Sequence, residues 1–200
     1  MNSTIPYRQI RAQYTEETIT VYQAYAPEIA QPALAAGRFV APFKMSRMTW
    51  IKPSFLWMMY RCGWGRKPGQ ECVLAIDITR AGFEWALAHS SLSHFDAAVY
   101  ATPEEFERRK TESPVRIQWD PERTLTFGEQ PHRAIQIGLG GEAVPRYVSE
   151  WIVSLRDVTP LAHTIEALVA AKKWDEAQAK LPIEKPYPLS ADLKRITGAT

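Results

Sequence analysis

The sequence predicts an α+β fold in a single domain, and three observations carry that expectation. Strand-like and helix-like stretches alternate early, and the second half is mostly strand-like. No internal repeat or linker-like run divides the chain. Its 200 residues, 46% hydrophobic and 23% charged, are enough to bury a core without disulfides.

Taken in order, residues 8–14 hold two arginines around an apolar residue and read as a short strand or turn. Residues 18–25 (TITVYQAY) are rich in β-branched and aromatic side chains and predict a strand. Ile19, Val21 and Gln23 share one face of it, so that glutamine needs a partner or a ligand. Residues 27–36 follow as a short helix with Glu28 in its first turn and Gly37 as its stop. Residues 48–51 read as a strand end, and Pro53 with Ser54 opens a second helix that Gly63 and Gly65 terminate. Residues 72–78 predict a buried strand, 81–89 a helix, 90–95 a loop, and 102–111 a charged helix started by Thr-Pro-Glu-Glu. Strands are expected at 115–119, 133–139 and 151–155, with a turn or short helix at 144–147. Residues 164–179 form an amphipathic helix pattern. The stretch 180–200, opened by the three prolines of 181–189, reads as an extended tail.

One stretch stands apart. Residues 47–64 (RMTWIKPSFLWMMYRCGW) hold three of the seven tryptophans, Trp50, Trp57 and Trp64, with Tyr60 and the cations Arg47, Lys52 and Arg61. The acid-free zone around them runs from 29 to 70 and contains Arg38, Lys44, Arg66 and Lys67 as well. Buried charges need partners, and a bound anion would supply one, with aromatic faces holding any attached ring. On the helix, Phe55, Met58, Met59 and Cys62 make an apolar stripe, whereas Ser54, Trp57 and Arg61 share another face. The helix start adds a partial positive charge and free N–H donors beside Thr49, Lys52 and Ser54. The plainer alternative is a buried helix whose cations pair with distant acids.

Other chemistries are poorly represented. Walker, HExxH, Gly-x-Ser-x-Gly and EF-hand patterns do not occur. His89, His94, His132 and His163 lack metal spacing, so no metal is expected. Cys62 and Cys72 sit in apolar surroundings and read as inert core residues. Gly138-Leu-Gly140-Gly-Glu-Ala143 matches Gly-x-Gly-x-x-Ala, but Pro145 leaves only a stub of helix to follow and no βαβ unit is evident. A net charge of +2 does not by itself imply nucleic acid. The first 14 residues lack a signal-peptide core and no stretch is long enough to span a bilayer, which predicts a cytoplasmic protein without membrane contacts. Arg116, Gln118, Arg133 and Gln136 are polar residues in apolar strands. Each has an ordinary explanation, but together with Gln23 they suggest a polar cleft lacking a tuned general base.

Several motifs identify a resemblance. Ile-Arg-Ala at 10–12, Val-Tyr-Gln-Ala-Tyr at 21–25, residues 47–61, Val-Arg-Ile-Gln-Trp-Asp-Pro-Glu-Arg at 115–123 and Ala-Ile-Gln-Ile-Gly-Leu at 134–139 resemble the family called domain of unknown function 4291. The layout is also similar to the ADP-ribosyltransferase fold, a split sheet flanked by helices. That second resemblance implies NAD as a cofactor and a transferase reaction. It puts Arg11 with Tyr22 or Gln23 on the ribose, Thr49 and Tyr60 in the next segment, and Gln136 where a Glu would stand. A glutamine cannot carry the charge that steadies an oxocarbenium ion, so the arginine-using RNA 2′-phosphotransferase branch, with Arg133, fits better. The expected function is an ADP-ribosyltransferase-like enzyme binding NAD or a phosphorylated nucleotide end. Arg11, Arg47, Lys52 and Arg61 would hold phosphate, Ser54 would assist, and Trp50, Trp57 and Tyr60 would stack on rings. The alternative is a non-catalytic nucleic-acid-binding module using the same surface.

Overall fold

Two sheets meet at a single backbone bridge in the computed structural model, which describes residues 5–200. One is an antiparallel three-stranded sheet of β2 (Thr18–Tyr25), β4 (Cys72–Thr79) and β8 (Ile152–Asp157), with β4 in the middle. The other is mixed and ordered β3 (Thr49–Ile51), β7 (Glu129–Leu139), β6 (Val115–Arg123) and β5 (Ser90–Leu92). Only the β5–β6 pair in it is parallel. The bridge joins Tyr22 to Lys52 by reciprocal bonds of 2.7 and 3.2 Å, holding β2 beside the end of β3. A small third pair joins β1 (Arg11–Ala12) to β9 (Lys185–Pro186).

β4 is apolar on both faces because both are covered. Leu74, Ile76 and Ile78 belong to the larger core, shared with Val21, Ile51, Ile117 and Ile137. Val73 and Ala75 face the second core, where α2 (Phe55–Cys62) packs with α6 (Thr159–Ala170). The free thiol of Cys62 is buried in that second core and Cys72 in the first. α1 (Pro27–Ala36) ends at Gly37 in the left-handed conformation, as its sequence predicts. α4 (Pro103–Glu112) begins with the expected threonine cap: Thr102 accepts from the Glu105 N–H, and Glu105 reaches one residue before the cap to accept from the Ala101 N–H. α3 (Arg80–Ala88) sits so close to a π-helical turn at Tyr147–Trp151 that a Cβ on Gly82 would fall 2.3 Å from the Trp151 ring. The turn follows α5 (Ala143–Arg146).

The structure departs from expectation in four places. Residues 90–92 are strand β5 rather than loop, because they gain a parallel partner in β6. The single helix expected at 164–179 is two, α6 and α7 (Trp174–Lys180), divided where Lys172 turns left-handed at φ 57°. Residues 180–200 are not an extended tail. They carry β9 and a capped helix α8 (Ala191–Thr197), whose Thr197 is fully buried. Pro53 lies before the cap of α2, outside the first turn. Among the described residues no helix is long and apolar enough to cross a membrane.

Candidate functional site

The turn between β3 and α2 decides where the cations go. Ser54 caps α2 by accepting from the Trp57 N–H at 3.1 Å, and the Phe55 N–H donates to Glu184 Oε1 at 2.7 Å. These bonds already commit donors at the helix start, contrary to the expectation that they are free for a ligand. The carboxylate missing from 29–70 arrives there from residue 184, a pairing that no local signal announces.

On the other side of Lys52 lies a pocket of about 420 Å³ between β2, the segment before β3, α2 and the turn at 68–70. Lys44, Arg47, Lys52 and Arg61 line it, and no Asp or Glu does. None of the four forms a salt bridge among the described residues. The other cations of the zone are elsewhere. Arg66 pairs with Glu166 at 2.8 Å, the Lys67 ammonium donates to the Arg61 carbonyl at 2.8 Å, and Arg38 lines a different cavity. Lys44, Arg47 and Arg61 are exposed, whereas Lys52 is only 6% exposed. The Lys52 pKa falls to about 7, chiefly because burial disfavours the ammonium and secondly because Arg61 repels it. Its Nζ donates to the Trp50 carbonyl at 3.0 Å and stands 5.9 Å from the Trp57 ring. Trp50 also lines the pocket, with its indole resting on Gly138, where a Cβ would meet the ring at 2.9 Å.

Gln23 has all its partners inside the protein. Its Oε1 accepts from the Tyr147 hydroxyl at 2.7 Å, and its Nε2 donates to Thr49 Oγ1 at 2.6 Å and the Tyr25 hydroxyl at 2.9 Å. It therefore positions Thr49 and Tyr25. Those two hydroxyls share one hydrogen bond of 2.7 Å, which uses one of their two protons and leaves the other without an acceptor among these residues. Both line the pocket, so the network ends there in a hydroxyl donor. Burial pushes the Tyr25 pKa up to about 12, keeping the donor protonated.

The remaining expected residues do not join this pocket. Tyr22 is fully buried against Phe55 and donates to Gln13. Trp57 is buried with its Nε1 unpartnered among the described residues, and Tyr60 is 37% exposed beneath the Arg123 guanidinium at 3.8 Å. Arg11 and Ser54 line a second, larger cavity of about 700 Å³ with Glu122, His132 and Glu184. There the Arg11 guanidinium donates to the Glu184 carbonyl at 3.1 Å. Burial, opposed by the Phe55 N–H and reinforced by the Glu122 charge, moves the Glu184 pKa up to about 8. Arg133 stacks on Tyr7 and donates to its hydroxyl at 3.0 Å. Gln136 donates to Asp120 at 2.7 Å. Arg133 and Gln136 are three apart in an unbulged stretch of β7 and so point to opposite faces, which corrects the expectation that they share one cleft. Arg116 caps α4 through the carbonyls of Ser113 and Lys110, and Gln118 donates to Asp120. Among the described residues no group of three or more His, Cys, Asp or Glu is placed to hold a metal.

The family model described as "Domain of unknown function (DUF4291)" matches residues 9–187. No curated protein matches the chain.

Proposed function

The chain belongs to the DUF4291 family, and from that premise we propose, on its own geometry, that it binds a phosphorylated nucleotide in the pocket between β2 and α2. One observation carries the proposal: Lys44, Arg47, Arg61 and the buried Lys52 line one half-open pocket with no carboxylate among them. Charge collected that way lacks an internal counterion, and a phosphate supplies one through charge-assisted hydrogen bonds. A volume of about 420 Å³ suits a mononucleotide or one half of a dinucleotide. The uncommitted Tyr25–Thr49 proton adds a neutral donor, and Trp50 and Phe43 give the walls ring surfaces.

The ADP-ribosyltransferase-like reading is the finer form of this proposal, with NAD as the dinucleotide whose pyrophosphate the cations would meet. The split between the two sheets at the Tyr22–Lys52 bridge supports it, as does the place of Gln23 and Thr49 on the adjoining strands. The reaction this lining suits is transfer at a sugar carbon, with positioning and cationic stabilisation of the leaving group as the catalytic effects. Arg133, Gln136 and Tyr60 take no part in it. We place the protein in the cytoplasm, where nucleotides are abundant and two buried free thiols remain reduced. A nucleic-acid backbone would call for cations strung along a groove, whereas Arg66 and Lys67 are already engaged elsewhere.

The test is isothermal titration with ADP, NAD and a short single-stranded oligonucleotide over a salt series. Arg47→Ala and Arg61→Ala should each weaken ADP binding roughly tenfold or more, the loss of one charge-assisted contact. Unchanged affinity in both single variants and in the double variant would refute the proposal. Tighter oligonucleotide binding with a steep salt dependence would favour the nucleic-acid module instead.

A further inference from the structure

We infer that Lys52 is a nucleophile, and that its side-chain amine forms an imine with a phosphate-bearing aldehyde held in the same pocket. The inference rests on the phosphate-binding reading above and names the reactive group of its ligand.

The surroundings hold the amine inside. Lys52 lies between β3 and α2, its N–H and carbonyl are both bonded to Tyr22, and its side chain is buried. An ammonium has three N–H donors, and Nζ has one acceptor, the Trp50 carbonyl at 3.0 Å. No carboxylate lies within 4.0 Å among the described residues, since Lys52 enters no salt bridge. Of the nearby charges, Arg61 from α2 repels the ammonium and the more distant Asp120 from β6 attracts it. Arg47 and Lys44 line the same pocket. A buried ammonium in cationic company with two unused donors is costly, whereas a neutral amine keeps one N–H on the carbonyl and directs a lone pair elsewhere. The fall of its pKa to about 7 agrees with that geometry. Desolvation beside a second cation is a known way to activate lysine.

The step balances without an oxidant or a reductant. The nitrogen lone pair adds to the aldehyde carbon, the carbonyl oxygen takes a proton, and the nitrogen gives one of its two protons back to the donor, leaving a neutral carbinolamine. Loss of water, with the oxygen leaving as it gains a second proton and the nitrogen losing its own, forms the C=N bond. The hydroxyl pair of Tyr25 and Thr49 on the pocket wall can hand the oxygen its first proton. Arg47 and Arg61 would hold the phosphate and so select a phosphorylated aldehyde over a neutral one.

The experiment uses the full chain, a substoichiometric amount of pyridoxal 5′-phosphate as probe, borohydride reduction and peptide mass mapping. Unphosphorylated pyridoxal runs in parallel, and ADP titrations accompany both. Lys52 should be the dominant labelled residue at pH 7.5, with roughly tenfold preference for the phosphorylated aldehyde, matching one charge-assisted contact. Lys52→Arg, which offers no amine to condense with the aldehyde, should lose the label, while the ADP titration of the wild-type chain reads the phosphate pocket independently. Label spread over exposed lysines with Lys52 unmodified overturns the nucleophile, even if ADP binds. Equal labelling of Lys52 by both aldehydes supports the nucleophile and overturns the phosphate reading.

Discussion

Replacing Lys52 by methionine should stabilise the protein, and the gain should shrink as pH rises. Methionine matches the lysine stem in length and can take its place among Trp57, Met58 and the pocket wall without a charge. The folded-state pKa of Lys52 lies at about 7 against an ordinary 10.5. Below about pH 7 the amine is charged in both folded and unfolded chains, and the folded chain bears the full penalty. At about 1.4 kcal/mol per pH unit, that penalty is about 5 kcal/mol as an upper bound. Between pH 7 and 10.5 the unfolded chain binds more protons than the folded one, so wild-type stability rises with pH. By pH 9 about 2 kcal/mol of the penalty remains, and above 10.5 none. Urea unfolding of both proteins at pH 6, 7.5 and 9 in phosphate-free buffer isolates the effect, because every other titrating group is common to the two. Lys52→Met should have the higher midpoint at pH 6 and a narrowing lead thereafter. A pH-independent difference, or a less stable variant at pH 6, would refute an unpaired buried lysine.

Tyr147→Phe removes the donor to Gln23 Oε1 and leaves that oxygen buried without a partner, so it should cost about 1–3 kcal/mol in equilibrium unfolding. A loss below a few tenths would mean that Gln23 finds water or another donor. Glu184, whose pKa is raised from 4.5 to about 8, keeps its proton when folded and loses it when unfolded across that window. Stability therefore falls as pH rises from 4.5 to 8, and Glu184→Gln should flatten the decline while keeping the bond from Phe55 N–H. Parallel urea midpoints for wild type and variant at pH 5 and pH 8 would contradict it.

What could be read in the sequence was local. β2 and α1 follow from six β-formers in eight residues and from a helix bounded by a first-turn proline and a left-handed glycine, signals that act within a few residues. β5 was not legible, because three residues become a strand only beside β6. The break after α6 carries no Gly or Pro, and the amphipathic pattern runs on through Lys172. The acid-free zone pointed to the cations of the site. Which of the seven stay free depends on partners such as Glu166, one hundred residues from Arg66. Gln23 announced its need for a partner, but Tyr147 lies 124 residues away. The opposed faces of Arg133 and Gln136 were implicit in their spacing of three along a strand.

The pairing of β1 with β9 also sets a schedule for folding. Arg11 and Ala12 find their strand partners at Pro186 and Lys185, Phe55 bonds to Glu184, and Arg8 exchanges hydrogen bonds with Thr200. Each contact closes a loop of more than a hundred residues, and such closures come late because their entropy cost precedes any gain. During synthesis, β1 and the start of α2 must therefore wait for the last twenty residues of this sequence. Until then the N–H of Phe55 lacks the Glu184 carboxyl oxygen that accepts from it, and the edge of β1 is open to pairing with other chains. The helix that brings Arg61 to the pocket is the element whose first turn is finished last.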